Sequence, residues 1–138
     1  SHVEELDLSF FHMLTERCLN ILLQKFRNLR MLCLASVPCV TDNVLFMISK
    51  YQTEIAHLNL FNCSAVTDRG IGALSLNCNK LEILSVRGCS LVTDRSLNLL
   101  RAKNVHIDVA RSRSTNPINE LVHRFNDLRP RQMFYLQV

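Results

Sequence analysis

Thr15, Thr41, Thr67 and Thr93 stand 26 positions apart, and many other columns of the sequence keep the same step. Each Thr follows an apolar residue (Leu14, Val40, Val66, Val92) and precedes an acid (Glu16, Asp42, Asp68, Asp94). Leu6, Leu32, Leu58 and Leu84 share the spacing, as do Leu8, Leu34, Leu60 and Val86. Three residues before the first of these columns sit Val3, Leu29, Ile55 and Leu81. Self-similarity at such a period requires a fold in which one supersecondary unit stacks on the next.

Each unit carries two periods. Leu-x-x-Leu-x-Leu alternates in twos, the pattern of a short strand with one buried face. After each Thr, apolar residues fall four and seven positions on: Leu19 with Leu22, Leu45 with Ile48, Ile71 with Leu74, Leu97 with Leu100. That is the stripe of an amphipathic helix. Thr or the acid after it suits the helix N-cap, and the acid also lies at the positive end of the helix dipole. One strand and one helix cannot bury both apolar faces alone. Stacked units can, with strands forming a parallel sheet and helices covering its convex side. The predicted strands are 5–9, 31–35, 57–61, 83–87 and 105–109. The fifth follows Leu84 by 23 residues rather than 26 (Ile107 − Leu84), so the stack ends there. Residues 1–110 are thus expected to form about four to five repeats. Residues 111–138 form a C-terminal cap or tail, with a helix opening at Asn116 and Pro117 and a cap covering the last repeat.

Composition narrows the function. The chain has 138 residues, 48% of them hydrophobic and 20% charged, which is the balance of an ordered protein. It has no apolar run near the ~20 residues that span a bilayer. Net charge is +4, too mild to imply nucleic acid by itself. The excess gathers in the tail, where Arg111, Arg113, Arg124, Arg129 and Arg131 face only Glu120 and Asp127. Nucleic-acid or phosphate binding through this tail is the alternative function, but the tail lacks aromatic platforms and clustered Lys/Arg. No signal-peptide pattern opens the chain, so a cytoplasmic or nuclear setting is expected, with all six cysteines reduced. No Cys-x-x-Cys pair, P-loop, Gly-x-Ser-x-Gly or Gly-x-Gly-x-x-Gly is present, and the five His form no spaced motif. The expectation is a non-enzymatic protein with no catalytic residues, metal or cofactor.

Leu58-Asn59-Leu60-Phe61-Asn62-Cys63 with Val66-Thr67-Asp68, and Leu84-Ser85-Val86-Arg87-Gly88-Cys89 with Val92-Thr93-Asp94, are the most regular copies. Together with the turn Asn77-Cys78-Asn79-Lys80-Leu81, they resemble the cysteine-containing leucine-rich repeat of F-box proteins and related mitotic-exit regulators. Phe11 and Val37 depart from it in the column of Cys63 and Cys89. The resemblance implies an α/β leucine-rich repeat horseshoe, a right-handed β-α solenoid with its parallel sheet on the concave face. It implies buried structural thiols at Cys63 and Cys89 that bond neighbouring loop backbone. It also implies the substrate-recruiting part of a ubiquitin ligase receptor. An F-box or further repeats would then adjoin the N-terminal edge, where the first strand is expected to be bare.

Alternation directs three columns out of the sheet: Glu5, Met31, His57, Ile83, His106; Asp7, Cys33, Asn59, Ser85, Asp108; and Ser9, Ala35, Phe61, Arg87, Ala110. Met31, Ile83 and Phe61 are apolar where solvent is expected. Apolar anchors within a polar rim suit a protein partner. The candidate partner-binding residues are Met31, His57, Asn59, Phe61, Ile83, Ser85, Arg87 and His106, centred on Phe61 and Arg87.

Overall fold

The computed structural model describes residues 2–109 and the backbone of Phe134–Tyr135. Strands β1 (Glu5–Asp7), β2 (Met31–Cys33), β3 (His57–Asn59), β4 (Ile83–Ser85) and β5 (His106–Asp108) alternate with helices. The helices are α1 (Glu16–Lys25), α2 (Asp42–Tyr51), α3 (Asp68–Asn77) and α4 (Asp94–Arg101), and β6 (Phe134–Tyr135) closes the series. All neighbouring strands are parallel, in the order β5-β4-β3-β2-β1-β6. Leu6 pairs with Leu32, Leu32 with Leu58, Leu58 with Leu84 and Leu84 with Ile107, so the columns of the sequence are rungs of one ladder. The helices pack on one another in chain order. One continuous core, including Leu19, Leu45, Ile71 and Leu97 beside Leu32, Leu58 and Leu84, lies between them and the sheet. The chain is therefore an α/β stack of repeated strand–helix units. Among the described residues, no helix is long and apolar enough to cross a membrane.

The strands are three residues long, not five. Asp7 Oδ1 accepts the Ser9 N–H at 2.9 Å, and Asn59 Oδ1 accepts that of Phe61 at 2.9 Å. These Asx turns bend the chain away from extended geometry. The residue beyond turns left-handed in every copy: Phe10 (φ 64°), Ser36 (55°), Asn62 (62°) and Gly88 (77°). A Cβ on Gly88 would stand 3.1 Å from Asn62 Cα and 3.2 Å from Asn62 N, so both conformation and space call for glycine there. The early fifth strand has a simple cause. Helix α4 spans 8 residues where α3 spans 10, and Asn104 (φ 64°) turns the chain into β5.

The tail departs further from expectation. Its described residues, Phe134–Tyr135, do not cover the last repeat but pair with the first: Leu6 with Phe134 and Asp7 with Tyr135. The outer edge of β1, expected bare, carries β6. The helix expected from Asn116 lies outside the described residues.

Three kinds of side chain join repeats to one another, none of them at every junction. Asp42 accepts the Thr67 N–H at 2.8 Å and its hydroxyl at 2.5 Å. Asp68 does the same for Thr93, at 2.8 and 2.6 Å, and also accepts the Ser96 hydroxyl. The acid thus clamps the following repeat as well as favouring its own helix start. Gly70 leaves room for this, since a Cβ would lie 2.5 Å from Asp42 Oδ1. The thiols form the second link. Cys63 donates to the Leu34 carbonyl at 3.2 Å and Cys89 to the Leu60 carbonyl at 3.0 Å, each from one repeat to its predecessor. The third link is Gln52, which is 0% exposed. Its Nε2 donates to the carbonyls of Leu23 (2.8 Å) and Phe26 (2.6 Å), and its Oε1 accepts the Leu29 N–H (3.2 Å). It thereby satisfies groups at the end of α1 that the helix itself cannot.

One junction lacks the clamp. Glu16 stands where the other repeats have Asp, and the buried Thr41 hydroxyl has no partner among the described residues. Thr41 also makes no side-chain cap for α2, whereas Thr15, Thr67 and Thr93 each cap their helix. Glu16→Asp shortens the arm by one methylene and reproduces the geometry of Asp42 and Asp68. It is expected to raise stability by about 0.5–1.5 kcal/mol in urea unfolding, the net worth of a hydrogen bond. A neutral or destabilising result would show that this junction differs for another reason. Acid should act at the Asp68 clamp. Burial alone would raise the Asp68 carboxyl, but donation from Ser96 and Thr93 holds it below its ordinary value. A depressed folded-state value means that its contribution is present above the usual carboxylate range and is lost as pH falls through the folded value. Asp68→Asn should therefore flatten the fall in Tm between about pH 5 and pH 2.

Candidate protein-binding surface

The eight expected residues do not share one accessible face. Phe61 is exposed (38%), Arg87 and His57 are half-buried, and His106 is exposed. Met31 (3%), Ile83 (4%), Asn59 (6%) and Ser85 (1%) are buried, contrary to expectation. Their reasons differ. The Asn59 amide is folded onto its own turn, and the Ser85 hydroxyl donates to Asp108 Oδ2 at 3.2 Å. Met31 joins Cys33, also expected outward and accessible, in a small apolar cluster separate from the main core. Ile83 sits in register between His57 and His106. Alternation therefore predicts which way these side chains point, but not that water reaches them.

What remains open is one end of the strands. A cavity of about 240 Å³ lies over Ala35, Phe61 and Arg87, the expected third column, with Phe10 and Asp108 among its walls. Arg87 Nε meets Asp108 Oδ1 at 2.7 Å; the Asp108 side chain is 8% exposed and that of Arg87 37%. The carboxylate thus fixes one edge of the guanidinium while the rest of it reaches the cavity. Phe61 follows β3 as Arg87 follows the neighbouring β4, and Phe10 is 51% exposed. Two aromatics and an oriented guanidinium around a floor of Ala35, Asn59 and Ser85 can hold an extended segment of protein by stacking, burial and charge-assisted hydrogen bonds.

Two of these groups were missed in the sequence. Phe10 occupies the column of Ser36, Asn62 and Gly88, where the backbone is left-handed. A large aromatic in a column of small turn residues is a readable signal. Asp108 was placed in the second column without a role; it lies diagonally across from Arg87 on the next strand, within reach of a long side chain. At the opposite end of the strands, His57 Nε2 lies 3.3 Å from Glu82 Oε2. Among the described residues, no group of three or more His, Cys, Asp or Glu is placed to hold a metal ion. The Arg-rich tail lies outside the described residues. Comparison with protein-family models and with curated proteins finds no match for the chain.

The cysteines divide by environment. Cys18 is exposed, whereas Cys33, Cys63, Cys78 and Cys89 are buried. Burial pushes the Cys63 thiol up to about 12, with the Cys89 sulfur adding to the effect, and pushes Cys78 up to about 11. Both thiols are therefore much less ionised at neutral pH than an ordinary cysteine, Cys63 more so than Cys78. In native alkylation followed by peptide mass spectrometry, Cys18 should be modified first and Cys63 and Cys78 last. Under denaturing, non-reducing conditions all six should react. A disulfide or early modification of Cys63 would contradict this environment.

Proposed function

We propose that this chain is a non-enzymatic protein-recognition module of the cysteine-containing leucine-rich repeat kind, a horseshoe segment whose concave face holds an extended segment of a protein partner. The observation that carries the reading is the cavity over Ala35, Phe61 and Arg87, edged by the exposed Phe10 and by the Arg87–Asp108 pair. The repeat columns of the sequence support the family. The same resemblance makes substrate recruitment for an F-box-type ubiquitin ligase, in the cytoplasm or nucleus, the biological role we propose.

Phe61→Ala removes an exposed ring. It should weaken binding of a partner recovered by wild-type pull-down by about 30-fold or more, the ~2 kcal/mol of a hot-spot truncation, with little change in Tm. Arg87→Ala alone strands the shielded Asp108 carboxylate and should also lower Tm, so the binding variant pairs it with Asp108→Asn. Wild-type affinity in both variants, with binding abolished by Arg→Ala changes at Arg111, Arg113, Arg124, Arg129 and Arg131, would move the site to the tail. A salt titration with random oligonucleotide then separates nucleic-acid binding from protein recognition.

A further inference from the structure

We propose that the outer face of the helix layer, the side away from the sheet, is a docking site for an amphipathic partner helix that carries acidic residues beside its apolar stripe. A hollow of about 480 Å³ crosses three helices there, lined by Gly72, Ala73 and Leu76 of α3, Phe46 of α2 and Leu99 of α4. Leu76 is 74% exposed and Leu99 52%. Packing within the described residues gives no reason for the hollow. Gly70 must be small, because a Cβ there would strike Asp42. A Cβ on Gly72 meets nothing within 4 Å beyond its own helix backbone and chain neighbours. Glycine inside a helix is less stable than alanine, so position 72 forgoes stability for a space that no described residue fills. A small residue between large apolar ones on a helix face is what helix-in-groove recognition uses, with the anchors of the partner helix entering the hollow.

Charge selects the occupant. Residues 42–51, 68–77 and 94–103 carry Lys50, Arg69, Arg95, Arg101 and Lys103 against Asp42, Asp68 and Asp94, a surplus of two cations. The acids serve the fold itself: Asp42 and Asp68 accept from the Thr of the next repeat, and Asp94 lies 2.8 Å from Arg101. Arg69 lines the hollow in the first turn of α3, and Arg95 holds the same position on α4. Lys50, in the last turn of α2, stands in the column of Leu76 one repeat earlier. Cations at both ends of an apolar hollow complement a helix with large apolar anchors and flanking Asp or Glu. A second copy of the chain would bring the same cations to the contact, where like charges oppose it. The tail is disfavoured for the same reason, with five Arg against Glu120 and Asp127. The hollow shares no residue with the cavity at the sheet, so this inference stands or falls independently of the proposed function.

The test is fluorescence anisotropy of a labelled helical peptide titrated with the full chain. The peptide has about 20 residues, Leu at i, i+3, i+4 and i+7 spacing, and Glu on both flanks. A second peptide replaces every Glu with Lys. Wild type is expected to bind the Glu peptide at least ~10-fold more tightly than the Lys peptide at low salt. Gly72→Leu fills the hollow from a position where an added side chain meets no neighbour. It should keep or raise Tm while weakening binding of the Glu peptide at least ~10-fold. Lys50→Glu with Arg69→Glu should reverse the preference between the two peptides. Phe61→Ala should change neither affinity, which separates this face from the cavity at the sheet. No binding of the Glu peptide, equal affinity for both peptides, or wild-type affinity in Gly72→Leu would overturn the proposal. So would tighter, equally Gly72-dependent binding of phosphatidylserine–phosphatidylcholine vesicles or of random oligonucleotide, which would assign the face to a membrane or to nucleic acid.

Discussion

No repeat of this chain completes its own hydrogen bonds. The Leu34 carbonyl accepts the Val37 N–H from its own turn and the Cys63 thiol from the next repeat, which occupies both of its lone pairs. Asp42 and Asp68 are oriented by the Thr residues that follow them in the stack, and the carbonyls at the end of α1 wait for Gln52. These are neighbour-to-neighbour bonds at buried or half-buried sites, where an unmade bond costs more than a made one contributes. The apolar faces obey the same rule, since the strand and helix of one unit bury little without the next pair. Stability therefore resides in the junctions more than in the units, and each junction has its own completeness.

The same dependence explains what could be read in the sequence. Strand register was legible because every rung repeats a column: Leu6, Leu32, Leu58 and Leu84 align in space as they do at a step of 26. Strand length was not legible, because alternation continues past the Asx turns at Asp7 and Asn59 while the backbone does not. Gln52 escaped notice for a related reason. Its column holds Phe26 and Cys78, a mixture that suggests ordinary packing, and only the carbonyls around it reveal an amide bridging two repeats. A residue that serves one junction leaves no periodic trace.

For the candidate site, direction was legible and accessibility was not. Met31 and Ile83 stand at positions predicted to face away from the core, yet both are buried. Phe61 keeps its exposure at the end of the strands, where the turns lead the chain away and the cavity opens. The electrostatics of that corner also required the fold. Arg87 follows β4 and Asp108 lies 21 residues on in β5, and the spacing of these two strands breaks the 26-residue step. Had β5 arrived three residues later, the ladder would have set another residue diagonally across from Arg87. The irregular last unit thus supplies the acid that orients the guanidinium.

Irregularity is concentrated at the two ends of the stack. At the first junction Glu16 leaves the Thr41 hydroxyl unmet among the described residues and Val37 brings no thiol to the Leu8 carbonyl, although Gln52 bonds the Leu23 and Phe26 carbonyls and the Leu29 N–H across it. At the last, α4 is short, β5 has no further strand beside it among the described residues, and His106 is exposed. The junction between the second and third repeats has the Asp42–Thr67 clamp, the Cys63 thiol and the glycine that lets α3 approach α2. The next has the Asp68 clamp and the Cys89 thiol. In a nearest-neighbour stack, incomplete junctions open before complete ones. The N-terminal unit has one neighbouring repeat among the described residues, and β6 pairs with its other edge. The first junction thus replaces one device with another: Gln52 bridges where the clamp and the thiol do not, and β6 adds pairing on the far side of β1.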